Sequence, residues 1–234
     1  MKFDVLTLFP EVFDLFKSYG VISKAIDNGH IELNTTNIRD FSLNKHHKVD
    51  DTVYGGGSGM LMTCQPIYDS IESIKEDNSK VIFLSPQGKL LTQDLAKDLA
   101  KEDHLILLCG HYEGIDARIT NNYVDMEVSI GDYVLTGGEL PAAVLIDVVS
   151  RMIEGVLGNE ESYKTDSHYN YLLQNDEYTK PREYRGLKVP DVLFNGNHKK
   201  IDEWKLQNSI ENTKKKRPDL YRKYIERGGE NGHN

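Results

Sequence analysis

Apolar runs broken by short glycine- or proline-bearing turns recur along the first part of the chain, and their spacing predicts its elements. Phe3-Asp4-Val5-Leu6-Thr7-Leu8-Phe9 is a β-rich run stopped by Pro10, which predicts a buried strand. Glu11 to Phe16 and Gly20 to Asn28 have helical spacing, the second closed by Asn28-Gly29. Ile31 to Thr35 alternates with period two and predicts a strand, Asp40 to Asp51 is a polar loop, and Pro66 to Lys75 is helical. Val81-Ile82-Phe83-Leu84 is an apolar run stopped by Ser85-Pro86-Gln87-Gly88. Thr92 then caps a helix to Lys101 with Leu95 and Leu99 on one face, and Leu105 to Cys109 is a second apolar run stopped by Gly110. Strand, helix and strand joined by short turns form a βαβ unit, hence a parallel sheet and an α/β fold. Asp125 to Ile130 predicts another strand. Ala142 to Val156 predicts a helix apolar almost all round, and therefore buried.

After Gly158 the pattern changes. Residues 159–177 are polar and aperiodic, which predicts a flexible linker. From 178 the chain is basic, with helices over Ile201 to Thr213 and Asp219 to Ile225 and a disordered polar tail from Gly228. The expected organisation is a domain over 1–158, a linker over 159–177 and a basic helical domain over 178–234.

Composition narrows the classes. The chain has 234 residues, 38% hydrophobic and 28% charged, and carries a net charge of −9. It is long enough for a substantial core, and its apolar runs exclude global disorder. No apolar run approaches the roughly 18 residues of a membrane span, and the start lacks a signal-peptide pattern. Cys64 and Cys109 form neither a CxxC pair nor a disulfide framework, so the expectation is a reducing, cytoplasmic setting. Lys180 to Lys223 contains 13 Lys/Arg against 6 Asp/Glu, a surplus of seven, so the remainder must hold −16 for the whole to reach −9. A basic segment on an acidic body suits a polyanionic partner, although a solvated helix face gives the same pattern.

Candidate chemistry lies in loops. In an α/β sheet the ligand site is at the carboxyl ends of the strands. Three loops there are unusual: Ser85 to Gly88, Gly110 to Gly114, and Ile130 to Gly138. Glycines permit close backbone approach to a ligand, and three such loops after consecutive strands indicate a nucleoside-type pocket. The familiar phosphate fingerprints are absent. Gly55, Gly57 and Met60 miss G-x-G-x-x-G at the third glycine, and Gly88-Lys89 lacks the rest of a P-loop. His46, His47, Asp50 and Asp51 lack metal-ligand spacing, so no metal site is expected.

Seven collinear motifs carry a stronger signal. They are Tyr54-Gly-Gly-Gly-Ser-Gly-Met60, Leu84-Ser-Pro-Gln-Gly88, Cys109-Gly-His-Tyr-Glu-Gly-Ile-Asp116, Ser129 to Leu140, Gly155-Val-Leu-Gly-Asn159, Val189-Pro-Asp-Val-Leu193 and Gly196-Asn-His198. Over nearly its whole length the chain resembles the bacterial tRNA (guanine-N1)-methyltransferases, the TrmD family of the SPOUT superfamily. The resemblance implies a parallel sheet with a deep trefoil knot and a small helical C-terminal domain. It implies S-adenosylmethionine as methyl donor, tRNA as substrate, the guanine at position 37 as target, and a homodimer with its active site at the interface. Magnesium is a further requirement it suggests, with no site visible in the sequence.

Matched residue by residue, the resemblance assigns cofactor binding to Leu84, Ser85, Pro86 and Gly88; to Gly110, Tyr112 and Glu113; and to Ile130, Gly131, Asp132, Tyr133, Val134, Leu135, Gly137 and Gly138. It places the catalytic arginine at Arg151 and the catalytic aspartate at Asp166. Those types suit the chemistry. Guanine N1 holds a proton at neutral pH, and a carboxylate can remove it as general base. A guanidinium, which never loses its charge, can stabilise the negative charge left on O6. Glu113 suits attraction to the donor's positive charge; His111 receives no role. The chain departs from the pattern at Phe194-Asn195 and at Lys180 in Thr179-Lys180-Pro181, both in the tRNA-binding part. The rivals are another knotted RNA methyltransferase, for which Asp166 would be dispensable, and a non-catalytic RNA-binding protein, which would not bind the donor.

Overall fold

The computed structural model describes residues 1–158 and 166–228. The chain divides into two compact units, Met1–Glu160 and Glu161–Asn234. The expected disordered tail lies outside the described residues from 229 onward, as do 159–165 of the expected linker.

The first unit is built on five parallel strands. They are β1 (Lys2–Thr7), β2 (Glu32–Asn37), β5 (Ser79–Leu90), β6 (His104–Cys109) and β7 (Met126–Ser129), in the order β2-β1-β6-β5-β7. Alternation along each inner strand divides side chains between two cores. Phe3, Val5, Ile82, Leu84, Leu105 and Leu107 face one cluster. Leu6, Val81, Phe83, Ile106 and Leu108 face the other. Helices α1 (Glu11–Lys17), α2 (Gly20–Asp27), α4 (Gln93–Leu99) and α6 (Glu139–Ser150) supply the first cluster. Helices α3 (Cys64–Ile74) and α5 (Ala117–Tyr123) supply the second. Thr92 caps α4 as expected, its hydroxyl accepting the Leu95 N–H at 3.3 Å.

Several expectations are corrected. β5 does not end at Leu84: pairing with β7 jumps from Leu84 opposite Val128 to Lys89 opposite the same residue, so the turn between them is an excursion from a continuing strand. Helix α5 went unpredicted because only Ile119 on it is buried, leaving no apolar stripe; the Asp116 carboxylate caps it by accepting the Arg118 N–H. Residues read as loop contribute a short hairpin, β3 (Asp50–Thr52) with β4 (Met60–Met62). Helix α6 begins three residues earlier than expected, since Pro141 in a first turn gives up an N–H that has no helical partner, and it ends at Ser150. Nor is it buried all round: Leu140 is 61% and Val144 42% exposed.

In the second unit, β8 (Glu183–Tyr184) and β9 (Leu187–Lys188) form a hairpin turning on Arg185 and Gly186, both at positive φ as a two-residue turn requires. Helix α7 (His198–Lys216) extends beyond its apolar residues at both ends. Asn197 caps its start, and α8 (Pro218–Glu226) begins on proline. The described part of the expected linker is tied to α7. Leu173 N–H donates to Thr213 Oγ1 at 2.8 Å, Asp176 N–H to Asn208 Oδ1 at 2.7 Å, and Asn212 Nδ2 to Asp176 Oδ1 at 3.1 Å.

Candidate active site

The excursion within β5 and the carboxyl ends of β6 and β7 open onto a cavity of about 230 Å³. Leu84, Ser85 and Pro86 line it from the first loop, and Gly110, Tyr112 and Glu113 from the second. Ile130, Gly131, Tyr133, Val134, Leu135, Gly137 and Gly138 line it from the third. Two of the expected residues do not line it. Asp132 is an exposed residue of the third loop, and Gly88 has a structural task instead: a Cβ there would lie 2.4 Å from the backbone of Glu127 and Val128, so only glycine lets the excursion close against β7. The wall also includes Phe83, His111, Gly114, Val128, Ser129, Thr136 and Pro141, which sequence reasoning did not assign. Their signal was position alone, since each flanks a residue of a recognised loop.

The loops are fixed by backbone. Gly138 N–H donates to Gly110 O at 3.0 Å, and a Cβ on Gly138 would stand 2.6 Å from Cys109 Cα. Tyr112 adopts φ +60°, a conformation uncommon for a bulky side chain and held here by its surroundings. Glu113 N–H donates to Met60 O and Met62 N–H to Gly114 O, both at 3.0 Å, which stitches the second loop to β4. The glycine-rich stretch before β4 thereby abuts the site: a Cβ on Gly59 would fall 2.5 Å from the Glu113 carboxylate oxygen. Tyr54, at its start, is 98% exposed.

The electrostatics disfavour the thiolate at both cysteines. Burial, reinforced by the Glu139 charge, pushes the Cys109 thiol far up, and burial with the hydrogen bond to Asp116 pushes the Cys64 thiol up. Asp116 is held ionised by its hydrogen bonds with the Arg118 guanidinium, at 2.9 and 2.7 Å. Among the described residues no group of three or more His, Cys, Asp or Glu could hold a metal ion.

Arg151 follows the last turn of α6, its N–H donating to Asp147 O at 3.2 Å, and is half-buried. Asp166 opens the described part of the second unit and is half-buried within it; its carbonyl accepts the Tyr169 N–H. The two therefore belong to different units. In the second unit Lys180, Arg182, Arg185, Lys199, Lys200 and Lys214 to Arg217 are all exposed. Some are engaged locally. Arg182 lies over the Phe194 ring at 4.3 Å, Lys214 over Tyr221 at 4.7 Å, and Arg217 pairs with Asp219 at 2.6 Å. Trp204 stands 6.4 Å from Tyr178, ring to ring.

The profile of the family described as tRNA (Guanine-1)-methyltransferase TrmD matches residues 1–223. A Finegoldia magna protein named tRNA (guanine-N(1)-)-methyltransferase is 62% identical over 232 residues, covering 99% of this chain and 100% of the relative. Proteins of the same name from Ruminiclostridium cellulolyticum and Clostridioides difficile are 56% and 52% identical. The alignments cover 95% and 97% of this chain, and 97% and 100% of the relatives.

Proposed function

The chain belongs to the tRNA (guanine-1)-methyltransferase TrmD family, and on that premise we propose that it methylates N1 of the guanine at tRNA position 37, next to another guanine, with S-adenosylmethionine as donor. The observation that carries the reading is the convergence of the three expected loops on one cavity at the carboxyl edge of the sheet. The cavity suits the donor. Phe83, Val128 and Leu135 offer apolar wall, the glycine turns offer close backbone, and Glu113 offers a negative charge for a cationic ligand. When bound, that donor supplies a methyl group on positively charged sulfur, already electrophilic.

What remains for the protein is the guanine. Asp166 accepts the N1 proton as general base, and Arg151 holds the negative charge that deprotonation leaves on O6. A carboxylate alone would face an anionic product in water; a guanidinium in a closed site lowers that cost. The segment bearing Asp166 comes to lie over the bound tRNA and excludes water, while the exposed Lys and Arg of α7 and its surroundings follow phosphates.

The family reading also includes a deep trefoil knot, a helical tRNA-binding C-terminal domain and a homodimer sharing its sites. The close packing of the third loop against Cys109 and Gly110 is compatible with the knot. The dimer is supported by α1 and α6, which pack on one another yet leave Leu15 77% and Leu140 61% exposed. Magnesium belongs to the proposal as a reaction requirement with no residue assigned. A cytoplasmic location follows from the substrate, and among the described residues no helix is long and apolar enough to cross a membrane.

The test is a tRNA transcript with guanines at 36 and 37, incubated with isotopically labelled donor and mapped by nuclease digestion and mass spectrometry. The label is expected on the base of guanine 37 and absent when position 37 is adenine. Label on a ribose would favour a different RNA methyltransferase, and no label with no donor binding would favour a non-catalytic RNA-binding protein.

A further inference from the structure

Beneath the cavity wall, the end of β1 and two of the loops meet on one buried carboxylate. Glu139, in the first turn of α6, is 6% exposed. The Thr7 hydroxyl, at the end of β1, donates to its Oε1 at 2.6 Å. The His111 ring, from the loop after β6, places Nε2 2.9 and 2.8 Å from its two oxygens. Facing two carboxylate oxygens, Nε2 is assigned the proton and donates. The third loop passes directly over this pair. A Cβ on Gly137 would lie 2.3 Å from His111 Cε1, 2.5 Å from Nε2 and 2.6 Å from Glu139 Oε2, so the loop rests against the imidazole and carboxylate at glycine's limit. Phe9 backs the imidazole at 4.9 Å between ring centres.

We propose that His111 and Glu139 act as positioning residues for the methyl donor, a clasp that fixes the second and third cofactor loops to each other; this rests on the S-adenosylmethionine reading of the cavity. His111 and Gly137 both line the cavity, whereas Glu139 stands behind it and acts through them. The carboxylate is anchored twice from the sheet side: by Thr7, itself held as acceptor of the Phe9 N–H at 2.9 Å, and by the N-terminal end of α6, where negative charge is favoured. The histidine transmits that fixed position to both loops. Without it the carboxylate keeps one hydrogen bond from Thr7, and the third loop loses the surface it rests on. The expected consequence is weaker donor binding with the transfer step intact, because neither side chain is needed at the guanine.

Calorimetric titration with S-adenosylmethionine tests this on the full chain, alongside steady-state rates at saturating tRNA. His111→Ala is expected to weaken donor binding about tenfold or more, the scale of a hydrogen bond to a buried charge, and to raise the donor KM equally with kcat within about twofold. His111→Gln, which restores an N–H at similar reach, is expected to bind within about threefold of wild type. Gly137→Ala is expected to weaken binding in the wild-type background and to cost less in the His111→Ala background, where two of its three closest contacts are gone. Should His111→Ala fold poorly, Gly137→Ala in the wild-type background still tests the contact, and donor binding as tight as wild type there overturns the clasp. Wild-type protein that binds donor beside an equally tight His111→Ala, or a Gln variant as weak as the Ala variant, overturns the clasp alone. Wild-type protein with no affinity for the donor overturns the cavity reading and the clasp with it.

Discussion

Gly138→Ala puts a single methyl group where the third loop packs against the end of β6. The new Cβ would lie 2.6 Å from Cys109 Cα and 3.0 Å from both Cys109 Cβ and Gly110 N. Carbon atoms rest at about 3.5–4.0 Å, so something must move by roughly 1 Å. Cys109 cannot yield easily: it is fully buried and paired with Leu84 across the sheet. The loop must move instead, stretching the hydrogen bond from Gly138 N–H to Gly110 O. Overpacking of this kind costs about 1–3 kcal/mol. Were that cost levied on the ligand-ready loop, donor affinity would fall about 5- to 150-fold, at roughly 1.4 kcal/mol per factor of ten. Calorimetric titration with S-adenosylmethionine measures it. Gly158→Ala, which meets nothing within 4 Å, serves as the control and is expected to bind like wild type. Affinity of Gly138→Ala within twofold of wild type would show that this contact does not set the loop.

Asp166→Ala is expected to reduce methylation of guanine 37 by about 10²–10⁴-fold with donor affinity unchanged; single-turnover rates near wild type would refute its role as base. Arg151→Lys keeps charge but loses the planar fork, and a drop in kcat on the order of 10²-fold is expected, with an unaltered kcat contradicting the O6 assignment. Replacing Lys214, Lys215 and Lys216 together by alanine is expected to weaken tRNA binding and flatten its salt dependence, by a slope of up to about 0.9 per lost phosphate contact; an unchanged slope would make that run mere surface. At the opposite edge of the sheet, buried His104 joins Asp4 Oδ2 and Ser79 Oγ, each at 2.7 Å. His104→Ala leaves the buried Asp4 carboxylate with Lys2 at 3.3 Å, and a loss of about 3 kcal/mol in denaturant unfolding is expected without any change in donor affinity measured on the folded protein.

The inner strands were legible because Phe3 to Leu8 and Leu105 to Cys109 are dense in apolar residues with glycine or proline close behind, a signal that needs no tertiary knowledge. The loops were legible for the same reason, since Ser85 to Gly88 and Ile130 to Gly138 are where such runs stop. Pairing was not legible. The jump that places both Leu84 and Lys89 opposite Val128 depends on a neighbouring strand more than thirty residues on. Helix α5 was hidden by its single buried residue, and the full extent of α7 by its charged ends, whose helicity comes from propensity and capping rather than from an apolar face. The contact of His111 with Glu139 spans 28 positions, and although each lies in a recognised motif, nothing local pairs them. Asp166 was visible through family resemblance alone, for in the sequence it is one acid among many in a polar stretch.

The central claim is that the three loops form one donor site. A crystal structure of the protein with S-adenosylhomocysteine, the demethylated product of the donor, tests it most directly. The account predicts the ligand within contact of Leu84 to Pro86, Gly110 to Glu113 and Ile130 to Gly138 at once. A ligand bound elsewhere on the chain, with those loops untouched, would contradict it.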